Sequence, residues 1–179
     1  MEVERDLDEW GDQSVLPVSV IVGRDALPDG EQWRVLGVVI GQRFASSEIR
    51  SLRMRSGPEG DIYMWMGYEL RLRKASVDDY ALNINSSAPS VFVVAKHTAE
   101  GLRPLQATVG LGDAQNLDAT DLRSADETVY RVAMPPEVFR WLERFVLEHY
   151  VPRRRKKHRG KQRSKAMFDA EVGDWAGGE

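Results

Sequence analysis

Residues 135–152 read PPEVFRWLERFVLEHYVP, and their spacing decides what the rest of the chain must provide. Val138, Leu142, Phe145 and His149 recur at i, i+4, i+7 and i+11, which is one face of an α-helix. Phe139, Val146 and Tyr150 widen that face, and Trp141 lies at its edge. Glu137, Arg140, Glu143, Arg144 and Glu148 fill most of the other side. Pro135 and Pro136 suit a first turn, whose N–H groups have no helical partner. Pro152 disfavours helical geometry at Val151, so the helix ends there. A stripe this broad must be covered, which predicts a helix packed on a sheet; docking on a partner is the lesser reading.

A run of cations follows at once. Arg153, Arg154, Arg155, Lys156, Lys157, Arg159, Lys161, Arg163 and Lys165 crowd into RRRKKHRGKQRSK, which holds no apolar residue. Residues 153–179 carry a net charge of +5, and residues 1–152 a net of −8, within an overall −3. Like charges at that density repel one another, so the tail is expected to be disordered alone and free to meet an acidic partner. Beyond it Phe168, Val172 and Trp175 fall at i, i+4 and i+7, the pattern of a short helix that docks in a groove. Arg153 to Arg163, with Phe168 and Trp175, are therefore the candidate partner-binding residues. Nucleic acid is the alternative partner of the tail, through counterion release, although no nucleic-acid-binding fold signature accompanies it.

Ahead of the helix the chain reads as strands. Residues 16–24, LPVSVIVGR, and 32–40, QWRVLGVVI, flank DALPDG and predict a hairpin. Gly37 marks a bulge or a close approach. Residues 44–54 fit either a strand or a short helix. Residues 62–74 alternate, with Tyr63, Trp65, Tyr68, Leu70 and Leu72 on one face once a slip at Gly67 is allowed. Residues 79–85, DYALNIN, alternate Tyr80, Leu82 and Ile84 and predict a strand in a second hairpin with 91–97. Short strands at 105–109 and 128–134 complete six or seven. The expected fold is α+β: an antiparallel sheet or a small, partly open β-barrel closed by the C-terminal helix, with a sandwich as the alternative. The expected division is a disordered segment at 1–14, one domain at 15–152 and the basic tail at 153–179.

The chain has 179 residues, 42% hydrophobic, enough for one real core. It has no cysteine, which removes disulfides, thiolate metal sites and cysteine nucleophiles. The acidic start lacks an apolar h-region and no run is long enough to span a membrane, so the expected location is cytoplasmic. His97, His149 and His158 are not spaced as metal ligands. Asp78–Asp79 and Asp25 with Asp29 are carboxylate pairs of the kind turns collect. Gly110-Leu111-Gly112 is half of a phosphate-binding turn, with Gln115 where a third glycine belongs. Asp113 is a plausible N-cap of a helix after that turn. No catalytic residue, cofactor or metal is expected.

Three stretches carry a resemblance: PVSVIVGRDALPDGEQWRVLGVVIG at 17–41, DDYALNINSSAPSVFVVAKH at 78–97, and YRVAMPPEVFRWLERFVLEHYVPRRRKKHR at 130–159. Together they resemble a bacterial family catalogued as domain of unknown function 3305, over about residues 16–165. The resemblance implies genes placed beside molybdenum-dependent formate dehydrogenases and their assembly factors. It therefore implies a non-enzymatic accessory role, with the enzyme or its assembly factors as protein partner, and carries over no catalytic residue. Some relatives are labelled molybdopterin-guanine dinucleotide biosynthesis proteins. The Gly-rich LAGGxSxRMG-like loop of such a nucleotidyltransferase is absent from this sequence.

Overall fold

A computed structural model describes residues 14–115 and 126–152. The expected N-terminal segment, apart from residue 14, and the whole expected tail lie outside the described residues.

Among the described residues seven strands form: β1 (Val15–Leu27), β2 (Gly30–Ile40), β3 (Arg50–Gly57), β4 (Gly60–Arg71), β5 (Ser90–Thr98), β6 (Gly101–Thr108) and β7 (Glu127–Ala133). All pairings are antiparallel. They make two sheets, in the orders β2-β1-β4-β3 and β6-β5-β7. Among the described residues no barrel closes, so the partly open barrel is corrected to two sheets that contribute to one core. Leu16, Val18, Val20 and Val22 line one face of β1, and each is at most 3% exposed. They meet Val91, Val93 and Ala95 of β5 and Leu102 of β6 in a single apolar cluster. Alternation in β1 put its valines inward, and a run of buried residues in β5 needs cover on both faces. The second face of β5 is covered by Ala114, which packs on Phe92 and Val94.

Both expected irregularities exist. The β1–β2 register shifts where Ile21 faces Gly37 and Val22 faces Val35. The β1–β4 register shifts between Val18 and Val20, which face Tyr68 and Trp65. Gly67, in the skipped pair, has φ +95°, and any side chain there would strike the backbone of Glu48 and Ile49. The bend in β4 therefore depends on a glycine. Residues 44–54 resolve into the end of a 3-10 turn, Gln42–Phe44, followed by a linker and β3.

The strand expected at 79–85 is a helix, α1 (Val77–Ile84). Period two placed Tyr80, Leu82 and Ile84 together, but Leu82 is 73% exposed. The packed set is Val77, Tyr80, Ala81 and Ile84, at helical spacing i, i+3, i+4 and i+7. Asp78 and Asp79 sit in its first turn, where the helix dipole favours anions. The second hairpin is corrected accordingly: β5 turns tightly into β6 across Ala99 and Glu100, and β7 takes its other edge. After β6 come α2 (Leu111–Gln115) and, following β7, α3 (Pro136–His149). α3 is the helix expected within residues 135–152. Val138, Trp141, Leu142 and Val146 are buried, and Phe145 meets Tyr80 of α1 edge-on at 6.2 Å. The helix thus packs on α1 as well as closing the core.

Candidate functional site

Arg153, Arg154, Arg155, Lys156, Lys157, Arg159, Lys161, Arg163, Phe168 and Trp175 lie outside the described residues, so the site is built from the folded body. The half phosphate-binding turn is occupied by the protein itself. The backbone N–H of Gly112 donates to Asp79 Oδ2 at 2.7 Å, a carboxylate standing where an anion would. Asp113 lies within α2 rather than capping it. Its carboxylate accepts from the Tyr80 hydroxyl at 3.1 Å and from Ser76 Oγ at 3.1 Å, and pairs with Arg73 at 3.4 Å. Burial raises the Tyr80 hydroxyl above the ordinary phenol range. These contacts join α1 to α2 and leave both carboxylates partnered.

The first open feature is a groove of about 590 Å³ between the two sheets. One wall is β4 from Gly67 onward. The β3 register begins with Arg50 opposite Met66, so among the described residues Tyr68 to Arg71 have no strand on that side. The other wall is Leu105 to Thr108 of β6, an edge strand that among the described residues is bonded only to β5. The Tyr68 hydroxyl spans the gap and donates to the Pro104 carbonyl at 2.7 Å. Burial pushes that hydroxyl up to about 12, despite Arg103 nearby, so it stays a donor at neutral pH. Unpaired strand edges leave backbone N–H and C=O groups directed outward, a template for an added strand. Pro104 lacks an N–H and blunts β6 at one position. Ser14, where the described chain begins, also lines the groove, together with Arg71 and Arg73.

The second feature is a cleft of about 470 Å³ at the other end of the first sheet. The slip at Gly67 turns Tyr63 and Trp65 to the same face as Val22 and Val20, their β1 partners. Trp33 of β2 stacks on Tyr63 with ring centroids 5.7 Å apart and planes 29° apart. Trp33 also lies against Gly101, where the backbone has φ +118° and a side chain would collide with the indole. The Arg103 guanidinium stands 5.9 Å from the Trp65 ring. On the same face, Arg24, opposite Trp33 in the register, pairs with both Glu31 and Asp61. Trp33 Nε1 donates to Glu31 at 2.8 Å, the first reason that carboxyl is held below its usual range. Asp61, 4% exposed, is also held low, by a hydrogen bond from Ser56 and then by Arg24, against the opposing effect of burial.

The remaining sequence candidates stay apart. His97 is exposed at the end of β5, and His149 rests edge-on against Phe145 at 4.4 Å. Asp25 pairs with Arg34 at 2.9 Å. Among the described residues no three His, Cys, Asp or Glu groups are placed to hold a metal ion. No described helix is long and apolar enough to cross a membrane. Sequence reasoning put Tyr63 and Trp65 on one strand face but missed the cleft, because Trp33 and Gly101 reach it through pairings that the local pattern does not encode. A family model described as "Protein of unknown function (DUF3305)" matches residues 2–159. No curated protein and no solved structure matches the chain.

Proposed function

We propose that this chain, which belongs to the DUF3305 family of proteins of unknown function, is a non-enzymatic accessory protein that acts by binding another protein. The observation that supports binding is the groove between β4 and β6, where two unpaired strand edges face a shared opening. An extended segment laid there gains main-chain hydrogen bonds on both sides, and side chains alternating along it give specificity. The client we propose is a cytoplasmic molybdenum-dependent formate dehydrogenase or one of its assembly factors, on the strength of the gene neighbourhood that the family resemblance implies. The basic run from Arg153, with Phe168 and Trp175, supplies a second contact on this reading, speeding encounter and lengthening residence.

Deleting the gene and assaying formate dehydrogenase with molybdate supplied tests the client. Loss of activity or of cofactor content is expected; unchanged values for both sink the assignment. Hydrogen exchange on the purified pair tests the groove. Tyr68–Arg71 and Leu105–Thr108 should slow together in the complex. A complex in which both stretches exchange as in the free chain rules the groove out as the docking place.

A further inference from the structure

The aromatic cleft has no part in that reading, and its chemistry points elsewhere. Three partly exposed aromatic rings, Trp33, Tyr63 and Trp65, converge on one face of a sheet. Clefts of this size, apolar with a few placed polar groups, are the usual form of a small-ligand site. Two cations flank the rings. Arg53 is the direct β3 neighbour of Tyr63 on the same face, and Arg103 faces Trp65. Both are exposed, and among the described residues neither forms a salt bridge. The carboxylates beside the rings, Glu31 and Asp61, are already engaged by Arg24 and accept from Trp33 and Tyr63. Among the described residues Glu100, on the rim, is the one acidic group that lines the cleft.

Aromatic faces accept a planar ring by stacking, and guanidinium groups accept phosphate. At 5.9 Å Arg103 is near the outer limit of attraction to the Trp65 ring, so it gives up little by turning to a phosphate. We propose that the cleft binds a nucleobase joined to a phosphate, the base against Trp65 and Tyr63 and the phosphate toward Arg53 and Arg103. A free nucleotide and a unit of single-stranded nucleic acid share that chemistry. A proline-rich peptide also uses aromatic grooves, but it offers the two arginines only carbonyl oxygens and no phosphate for charge-assisted bonds.

Calorimetric titration of the full chain with adenosine monophosphate, ribose 5-phosphate and a short single-stranded oligoadenylate tests this. The basic run after Pro152 attracts any polyanion, so dependence on the base is the discriminating readout. Adenosine monophosphate or the oligomer should bind, and ribose 5-phosphate should bind at least about tenfold more weakly, as loss of one stacked base implies. Equal affinity per nucleotide names the free nucleotide as ligand; a much tighter oligomer names the single strand. Trp65→Ala should cost roughly five- to hundredfold in affinity, the range of one base–aromatic stack, and Trp65→Phe should restore most of it. Arg53→Ala with Arg103→Ala changes only exposed side chains. It should leave the melting temperature unchanged while weakening binding and flattening its salt dependence. Three results overturn the proposal: no heat with any of the probes, oligomer binding that survives both sets of substitutions, or a proline-rich peptide that binds more tightly and is lost with Trp65→Ala.

Discussion

Asn83 makes three buried hydrogen bonds with backbone groups, and nothing local in the sequence signals them. Its side-chain amide donates to the carbonyls of Ser90 at 2.8 Å and Val109 at 2.7 Å, and its carbonyl accepts the Ser90 N–H at 3.0 Å. It is buried, and it ties α1 to the start of β5 and to the residue after β6. At about 1 kcal/mol net for each bond, Asn83→Ala should cost roughly 3 kcal/mol, to be read from urea unfolding. Asp61 makes a different prediction. Its folded pKa lies below the unfolded value, so its stabilisation is complete above the unfolded pKa and disappears as pH falls through the folded one. Asp61→Asn should therefore melt below the parent at neutral pH, with the gap closing as pH falls below the ordinary Asp value of about 4. A gap that stays constant as the pH is lowered would mean that Asp61 acts by shape alone. Neither role was legible beforehand: a polar residue in an expected strand and an acid at a turn read as solvent-facing until the partners across the fold are known.

At the level of elements, α3 was readable because all its information is local: helical spacing, two prolines at the start and one past the end. Leu142→Ala should cost about 2–5 kcal/mol, since the side chain is fully buried. Phe145 was expected to be equally buried but is only partly so. Its truncation should cost less, about 1–3 kcal/mol, by the area it covers. Melting curves of the two variants that coincide with the parent would mean that the helix is undocked. α1 was misread for the opposite reason. In DYALNIN alone the two periodicities compete, and the helical one wins only when Val77 and the acidic first turn are counted with it. β3 was ambiguous because none of its residues is buried. It exists through pairing with β4, and its arginines guard an exposed edge.

For the molecule as a whole, antiparallel character followed from pattern, but the strand set did not follow in full, since the strand expected at 79–85 is α1 and the ambiguous 44–54 leads into β3, and the division into two sheets did not follow at all. That division is set by which edges meet: β1 skips past β3 to pair with β4, and β5 pairs both with β6 and with the later β7. Val15 must find Arg71 before the first sheet exists. Folding is accordingly expected on the millisecond-to-second scale of non-local β topologies. A stopped-flow refolding rate in the microsecond range would show that the order of assembly is otherwise. The seam between the sheets also carries its own reporter. Where Trp33 presses on Gly101, a glycine proton points at the indole's six-membered ring. Ring current should displace that proton's resonance from the ordinary glycine position. The displaced signal reads the closeness of β2 to the β5–β6 turn, so opening of the sheets, or entry of a ring beside Trp33, would be visible in a proton spectrum of the unlabelled protein.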